Sequence, residues 1–220
     1  MCPEELTEKG IYAALSALSK DRENWEAELE QVAAMLTYPS NKTKAKALWL
    51  IGEMGLLYPQ KVQPFIKQIA EMLNDADEKV RERAVGALGR IGRNSYAAIA
   101  PYLDEILKKA DDEAPMVRMN FIWAAENIAT NHPEAFINAM NVFAALLDDQ
   151  AVRVRIEAPE IFRVIGKRKP EAVLPYIEKL QFLSEHDENS VVRIHSAGAI
   201  KATLGKANSH QAQRNRGKVT

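Results

Sequence analysis

Cysteine, long apolar runs and an excess of one charge are scarce or missing in this chain of 220 residues. The single cysteine, Cys2, has no partner for an internal disulfide, and its neighbours suggest neither a metal site nor an activated thiol. No apolar run approaches the roughly 20 residues of a membrane-spanning helix. The acidic opening MCPEELTEKG is unlike a secretory signal peptide. We therefore expect a soluble, cytoplasmic protein.

Catalytic motifs are missing as well. The sequence contains no P-loop, no G-x-S-x-G nucleophile elbow and no Cys/His pairing, and its four histidines lack metal-ligand spacing. The formal net charge of −1 excludes a globally basic nucleic-acid-binding protein but allows a local basic patch. The sequence thus predicts no catalytic residue, no metal and no cofactor, and it favours a protein that is not an enzyme.

A repeat of 37 residues is the strongest signal in the chain. Four segments align at that constant offset, and a fifth, VRIHSAGAIKATLG, starts at Val192 after one extra residue. The four are TKAKALWLIGEMG (43–55), VRERAVGALGRIG (80–92), VRMNFIWAAENIA (117–129) and VRIEAPEIFRVIG (154–166). A fixed period of this length indicates a solenoid, in which each repeat packs on its neighbours.

Each period contains two helical patterns. In the second helix, apolar residues at i, i+4, i+8 and i+11 mark one face, as at Val80, Ala84, Leu88 and Ile91, and no segment alternates with a period of two, so no strand is predicted. The second helices should begin near residues 41, 78, 115, 152 and 190. Prolines five residues into the first helices should bend them; they are Pro64, Pro101 and Pro175.

Small residues recur at two positions of the second helix. Gly55, Gly92 and Gly166 are interpreted as points where successive layers approach closely. Gly52 and Gly89 are expected to face outward, because Glu126 and Arg163 replace them in later copies.

At these residues the chain resembles the HEAT repeat family of armadillo-like α-solenoids. The resemblance covers about residues 21–205 and implies an all-α fold, a right-handed superhelix of about five two-helix repeats. We expect an N-terminal capping helix in residues 1–20, the solenoid in 21–207 and a basic flexible tail in 208–220. The tail is predicted because residues 208–220 contain basic residues and no acid.

The family's characteristic pair is an aspartate in the inter-helix turn and an arginine near the start of the second helix. The resemblance implies a ladder of these pairs that joins successive layers. The first repeat has Tyr38 and Lys44 at the two positions, so the ladder is not expected to reach it. The pairs, each six residues apart, are Asp75 and Arg81, Asp112 and Arg118, Asp149 and Arg155, and Asp187 and Arg193.

Second helices of a solenoid line a concave surface that commonly binds partners. The outward positions hold eight basic residues against three acidic ones, and Trp49 and Trp123 share one repeat position, where exposed tryptophan favours contact. The ordinary alternative is a solvated helix face with gap-filling tryptophans. The candidate binding residues are Lys46, Trp49, Glu53, Lys79, Arg83, Arg90, Asn120, Trp123, Asn127 and Glu160.

The function predicted from this surface is a non-catalytic scaffold that binds an acidic or mixed-charge protein segment. Nucleic acid is the alternative partner, since basic stripes and aromatic faces also bind phosphates and bases. A fainter resemblance is to the HEAT-like alkylpurine DNA glycosylases, carried by Trp49 with Glu53 and Trp123 with Asn127. Their usual aspartate is missing from both positions, which argues against that chemistry. The sequence does not indicate an oligomeric state.

Overall fold

The computed structural model describes the backbone of residues 7–216 and the side chains of residues 7–207. Between residues 7 and 216 it contains helices, turns and no strand, which confirms the predicted all-α fold. The chain divides into two compact units, Met1–Ala124 and Ala125–Thr220, and the boundary falls within one helix.

The first unit contains a capping helix, two complete repeats and most of a third. The second helices α3, α6 and α9 are each 17 residues long. In chain order the helices are α1 (Glu8–Leu18), α2 (Trp25–Ala34), α3 (Asn41–Leu57), α4 (Pro59–Val62), α5 (Ile66–Glu71), α6 (Glu78–Asn94), α7 (Tyr96–Ile99), α8 (Leu103–Leu107) and α9 (Pro115–Asn131).

The second unit begins within α9 and contains the last two repeats. Its first element after α9 is a 3-10 segment over Pro133–Ala139. The helices that follow are α10 (Met140–Leu146), α11 (Val152–Gly166), α12 (Pro170–Val173), α13 (Ile177–His186) and α14 (Ser190–Arg216). Across the chain the second helices therefore start at residues 41, 78, 115, 152 and 190, as the repeat predicted.

Prolines interrupt three of the first helices, as expected. Because proline lacks a backbone N–H and its ring clashes with the preceding turn, the α-helix cannot continue unchanged through it. A three-residue 3-10 segment stands at each of these prolines, over Gln63–Phe65, Ala100–Tyr102 and Leu174–Tyr176. Each of these first helices is consequently two short α-helices joined by a tight turn.

The outward placement of Gly52 and Gly89 is wrong. A Cβ added to Gly52 would lie 2.8 Å from the Cα of Ala87, and one added to Gly89 would come closer still to the Cα of Ala124. At these two glycines the backbones of adjacent second helices therefore approach each other closely. Glu126 occupies the same position as Gly89 one repeat later. The contact made there is different, and the replacement does not indicate that the position is exposed.

Gly89→Ala should lower the free energy of unfolding by about 1–3 kcal/mol, the usual range for overpacking a filled core. The loss should occur despite the roughly 1 kcal/mol by which alanine favours a helix over glycine. Gly205→Ala is the matched control, because nothing lies within 4 Å of an added Cβ there. Urea unfolding of both variants tests the contact; a Gly89→Ala protein as stable as the control would contradict it.

Thr43 occupies a position that is valine in every other repeat: Val80, Val117, Val154 and Val192. Its side chain is fully buried, and its hydroxyl oxygen has no hydrogen-bond partner. A buried polar group without a partner costs about 1–3 kcal/mol. The methyl group of valine would fill the same space without that cost.

Thr43→Val should therefore raise the free energy of unfolding by about 1 kcal/mol or more. Thermal unfolding checks this, with Thr37→Val as the control, because the exposed Thr37 hydroxyl donates to the Ala34 carbonyl at 3.0 Å. A decrease in the melting temperature of Thr43→Val would show that the hydroxyl is satisfied.

The predicted Asp/Arg ladder has two kinds of contact, and the first joins each arginine to the backbone of the aspartate six residues before it. Each arginine donates from Nη1 to the carbonyl of the aspartate six residues before it, at 2.6–3.0 Å. A second, longer bond from the same nitrogen reaches the next carbonyl, at 3.1–3.3 Å. The four arginines are Arg81, Arg118, Arg155 and Arg193. Each one thus fixes the turn of its own repeat.

The side chains of Asp75, Asp112 and Asp187 each bind the cation of the preceding repeat. Arg81 binds Asp112 with two bonds of 2.8 and 2.9 Å, and Arg155 binds Asp187 at 3.3 Å. The expectation that the ladder would not reach the first repeat is wrong, because Lys44 binds Asp75 at 3.3 Å. A lysine therefore makes the first contact of the series.

The predicted tail begins within α14. That helix continues to Arg216, so the backbone of residues 208–216 is helical. The side chains from residue 208 onward and the whole of residues 217–220 lie outside the described residues. The expectation that this segment is flexible and makes no packed contacts stays a prediction.

Candidate partner-binding site

The first unit has an open cleft of about 450 Å³ where α1, α3 and α6 meet. Its volume is within the range of ligand-binding pockets, roughly 300–1,000 Å³. Four of the predicted binding residues line it: Lys46, Trp49, Lys79 and Arg83. The rest of the lining was not among the candidate binding residues and consists of Tyr12, Asn41, Lys42, Ala45 and Asp77.

Helix geometry places the main side chains of the cleft together. Lys42, Lys46 and Trp49 are spaced i, i+4 and i+7, so they share one face of α3. Their backbone position is fixed by Ser40, whose hydroxyl accepts the Thr43 N–H at 3.4 Å and caps the helix. The cleft therefore includes the first two turns of α3.

Aromatic rings hold two of the ammonium groups. Lys46 Nζ lies 4.5 Å from the centre of the Trp49 ring, and Lys42 Nζ lies 4.4 Å from that of Tyr12. A lysine over an aromatic face gains about 0.5–1 kcal/mol at an exposed site. Tyr12 comes from the capping helix, so α1 supplies part of the site.

The acidic groups near the cleft are already bound. Glu82 accepts both of its bonds from Lys79, at 2.7 and 2.9 Å, and also lies 3.6 Å from Arg83. Asp77 accepts the N–H groups of Lys79 and Val80 at the start of α6 and the amide of Asn41 at 3.1 Å. Glu82 is therefore paired with cations of the protein, whereas Asp77 is hydrogen-bonded to neutral donors and keeps its negative charge.

Lys42 and Lys46 have no acidic partner among the described residues. Burial, Arg83 and Lys20, in that order, hold the pKa of Lys46 below its usual value. A lowered lysine pKa reports a site where positive charge is crowded and partly desolvated. An anionic ligand would offset the repulsion between these cations.

Other predicted binding residues of the first unit are engaged with the protein itself. Glu53 binds Arg90 at 2.6 Å, and Arg90 Nη1 also donates to the Gly86 carbonyl at 3.1 Å. A Cβ at Gly86 would lie 3.2 Å from that nitrogen, so the glycine makes room for the guanidinium. Asn120 is only 5% exposed and donates to the Met116 carbonyl at 3.0 Å.

Trp123, on α9, is 40% exposed. It is one of the large hydrophobic side chains that the first unit leaves at its surface. The two tryptophans of the repeat position thus differ: Trp49 is half-buried under Lys46, whereas Trp123 offers a broad accessible ring.

The second unit holds Asn127 and Glu160. Glu160 accepts a 2.6 Å bond from Arg163 Nε, and His195 Nδ1 lies 3.6 Å from its other oxygen while contacting the Ile156 carbonyl at 2.7 Å. Glu160 is therefore a paired carboxylate.

Glu126 is a feature that the sequence analysis interpreted wrongly. One of its carboxylate oxygens is buried and has no hydrogen-bond partner. Burial, Glu160 and Glu157 together raise the pKa of Glu126 to about 8, although Arg163 opposes the shift. The signal in the sequence was the substitution of a carboxylate at the position of Gly52 and Gly89.

The described residues include no group of three or more His, Cys, Asp or Glu placed to hold a metal ion. Within residues 7–216, no helix combines the length and apolar composition that a bilayer crossing requires.

Comparison with known proteins identifies the family. The sequence pattern of the family described as sister chromatid cohesion protein PDS5 matches residues 31–204, which is most of the chain. The chain belongs to the PDS5 family. The match covers all five second-helix starts, and it agrees with the predicted HEAT, armadillo-like solenoid. No curated protein sequence matches the chain significantly.

Solved structures agree on the fold of this PDS5-family chain. A designed armadillo repeat protein, YIII(Dq)4CqI, is 22% identical with a TM-score of 0.65, covering 91% of this chain and 96% of its own. An engineered protein, target OR329, is 19% identical with a TM-score of 0.65, covering 89% and 85%. A chain in the structure of Kap95p with RanGDP is 16% identical with a TM-score of 0.65, covering 92% and 28%. At these identities the likeness establishes the fold alone.

Proposed function

We propose that this chain is a non-catalytic scaffold that binds an acidic segment of a partner protein in the cleft of its first unit. The observation that supports the proposal is the pair of lysines, Lys42 and Lys46, which lie beside aromatic rings without an acidic partner in the described part of the protein. Family membership supports the broader role, since repeat solenoids of this kind serve as protein-binding scaffolds.

The cleft suits a surface contact with a peptide segment. It is open rather than enclosed, and it offers both ring surface from Trp49 and Tyr12 and charge from the lysines. Aromatic side chains and complementary charge are the features that anchor a partner and set its specificity. The paired Glu53 and Arg90, in contrast, contribute little net charge to a ligand.

A charge-reversal experiment tests the proposal. A fluorescently labelled peptide of alternating glutamate and glycine is titrated against the full chain and followed by anisotropy at low salt. The variant carrying Lys42→Glu and Lys46→Glu should bind about tenfold or more weakly, a loss of about 1.4 kcal/mol. The control is Lys201→Glu with Lys206→Glu, which makes the same charge change at exposed positions of α14 and should bind as the wild type does.

Two results would contradict the proposal. The first is equal loss in both charge-reversal variants, because binding would then depend on net charge alone. The second is tighter binding of a duplex or single-stranded DNA 20-mer, with a log–log salt slope that indicates several neutralised phosphates. That slope would favour the nucleic-acid function.

A further inference from the structure

We infer that the cleft recognises a phosphorylated serine or threonine in the partner segment. This inference rests on the proposed function and specifies the chemistry of its ligand. It concerns the four basic residues of the cleft, Lys42, Lys46, Lys79 and Arg83.

These four residues form a regular grid. Lys42 and Lys46 are one turn apart on α3, and Lys79 and Arg83 occupy the equivalent positions on α6, 37 residues later. The next repeat has Met116 and Asn120 at these positions. Within the first unit, the grid is therefore confined to the first two repeats, where the cleft lies.

The cations of the grid exceed the anions that could neutralise them. Lys79 is matched by Glu82, whose contact with Arg83 is longer, at 3.6 Å. Asp77 lies at the start of α6 and is engaged by backbone N–H groups and by Asn41. The four cations of the grid and the two carboxylates of Glu82 and Asp77 leave a net charge of +2 at the cleft for a ligand to balance.

A phosphate group matches this excess better than a single carboxylate. A phosphoserine or phosphothreonine carries about −1.5 to −2 charges at pH 7 and three acceptor oxygens. An arginine can bind two of those oxygens together, while lysines contribute as point charges. Arg83, whose side chain is 31% exposed, lies on α6 and Lys46 lies on the adjacent α3. The arginine would bind two phosphate oxygens, and the lysine would contribute a point charge.

Local desolvation strengthens the case. The first turns of α3 and α6 both border the cleft, and helix N-termini favour negative charge. Lys46 is partly buried and is crowded by Arg83 and by Lys20, and its Nζ lies 4.5 Å from the centre of the Trp49 ring. A doubly charged ligand would offset this repulsion, and the rings of Trp49 and Tyr12 would contact the residues beside the phosphate.

Three matched peptide libraries test the inference. Each is a degenerate 12-mer with a fixed central residue, which is phosphoserine, glutamate or serine, and binding to the full chain is measured by anisotropy at physiological salt. The phosphoserine library should bind about tenfold more tightly than the glutamate library. Lys46→Gln and Arg83→Gln should each remove most of that preference, and Lys201→Gln should leave it intact.

The pH dependence provides a second measurement. Because the second phosphate pKa is about 6, binding of the phosphoserine library should weaken between pH 7.5 and pH 5.5. Binding of the glutamate library should change little over that range, since the carboxylate stays ionised.

The outcomes separate the two proposals. Equal binding of the phosphoserine and glutamate libraries would overturn this inference and retain the acidic-segment function. Binding of none of the libraries would overturn both. Preferential binding of a single-stranded DNA 12-mer over the phosphoserine library would assign the cleft to nucleic-acid phosphates and also overturn both.

Discussion

Arg81→Ala should lower the free energy of unfolding by about 3–5 kcal/mol, because it leaves a buried carboxylate without its partner. Arg81 and Asp112 have side chains that are only 9% and 6% exposed, and two bonds join them. The same arginine satisfies the carbonyls of Asp75 and Ala76, which would also lose their donor. Urea unfolding of wild type and variant gives the difference.

Arg155→Ala is the matched control for this prediction. Arg155 makes the same backbone contacts in its own repeat, but its side chain is 22% exposed, and its Nε donates to Asp187 at a longer distance, 3.3 Å. We expect a smaller loss, of about 1.5–3 kcal/mol, the range for one hydrogen bond to a charged group. Equal losses in the two variants would show that the backbone contacts, and not the buried ion pair, carry the stability.

Lowering the pH should reduce the loss of unfolding free energy that Arg81→Ala causes. Burial acts to raise the pKa of Asp112, but the bonds from Arg81 and from the Ala114 N–H, with the nearby cations, outweigh it and hold that pKa below its usual value. A depressed carboxyl pKa adds stability above the unfolded-state pKa, near 4, and loses it as the pH falls through the folded-state value. The difference between wild type and Arg81→Ala should therefore narrow below about pH 4.

Glu126→Gln should stabilise the protein at neutral pH and make its stability less dependent on pH. The pKa of Glu126 is about 8 in the folded protein against a usual 4.5. Between those values the folded state keeps a proton that the unfolded state releases, so stability falls as the pH rises. At 1.36 kcal/mol for each unit, the loss by pH 7 is roughly 3 kcal/mol.

The comparison that tests this is the pH profile of unfolding free energy from pH 4.5 to 8.5. The wild type should lose stability across that range relative to Glu126→Gln, and the two should converge near pH 4.5. Glu171→Gln, at an exposed position of α12, should follow the wild-type profile. Parallel profiles for wild type and Glu126→Gln would show that the Glu126 carboxylate is solvated at neutral pH.

The repeat architecture was predictable from sequence because its signal is repeated. Five copies of one apolar pattern placed every second helix, and the capping residues Ser40 and Asp77 stand where the helices begin. Apolar spacing and helix capping depend only on residues that are close in the chain. Because five copies show the same pattern, the ambiguity that a single copy would leave is removed.

Contacts between layers were harder to predict, since spacing along the chain does not show which repeat supplies a partner. The six-residue spacing placed Asp112 with Arg118, yet the Asp112 carboxylate is bound by Arg81, 31 residues earlier. Similarly, the substitution of Gly89 by Glu126 suggested exposure, although the position lies where helices touch.

The candidate site was predicted in part. Lys46, Trp49, Lys79 and Arg83 do line one cleft, but Tyr12 was missed because it belongs to the capping helix, outside the repeat. A count of basic residues along the second helices also could not show which charges are neutralised. Glu82, on the buried side of α6, had no role in the sequence analysis and proves to bind Lys79.

The arginine that binds its own turn has a consequence for how such a chain can grow. The donor and both carbonyl acceptors lie within seven consecutive residues, as in Asp75–Arg81. A tandem duplication of 37 residues copies this set of hydrogen bonds intact, provided that neither end of the duplicated segment falls within those seven residues. The new copy also brings one aspartate for the cation before it and one cation for the aspartate after it. An added unit therefore restores the ion-pair series at both of its junctions, so the gene can lengthen by whole repeats without a compensating mutation at these positions.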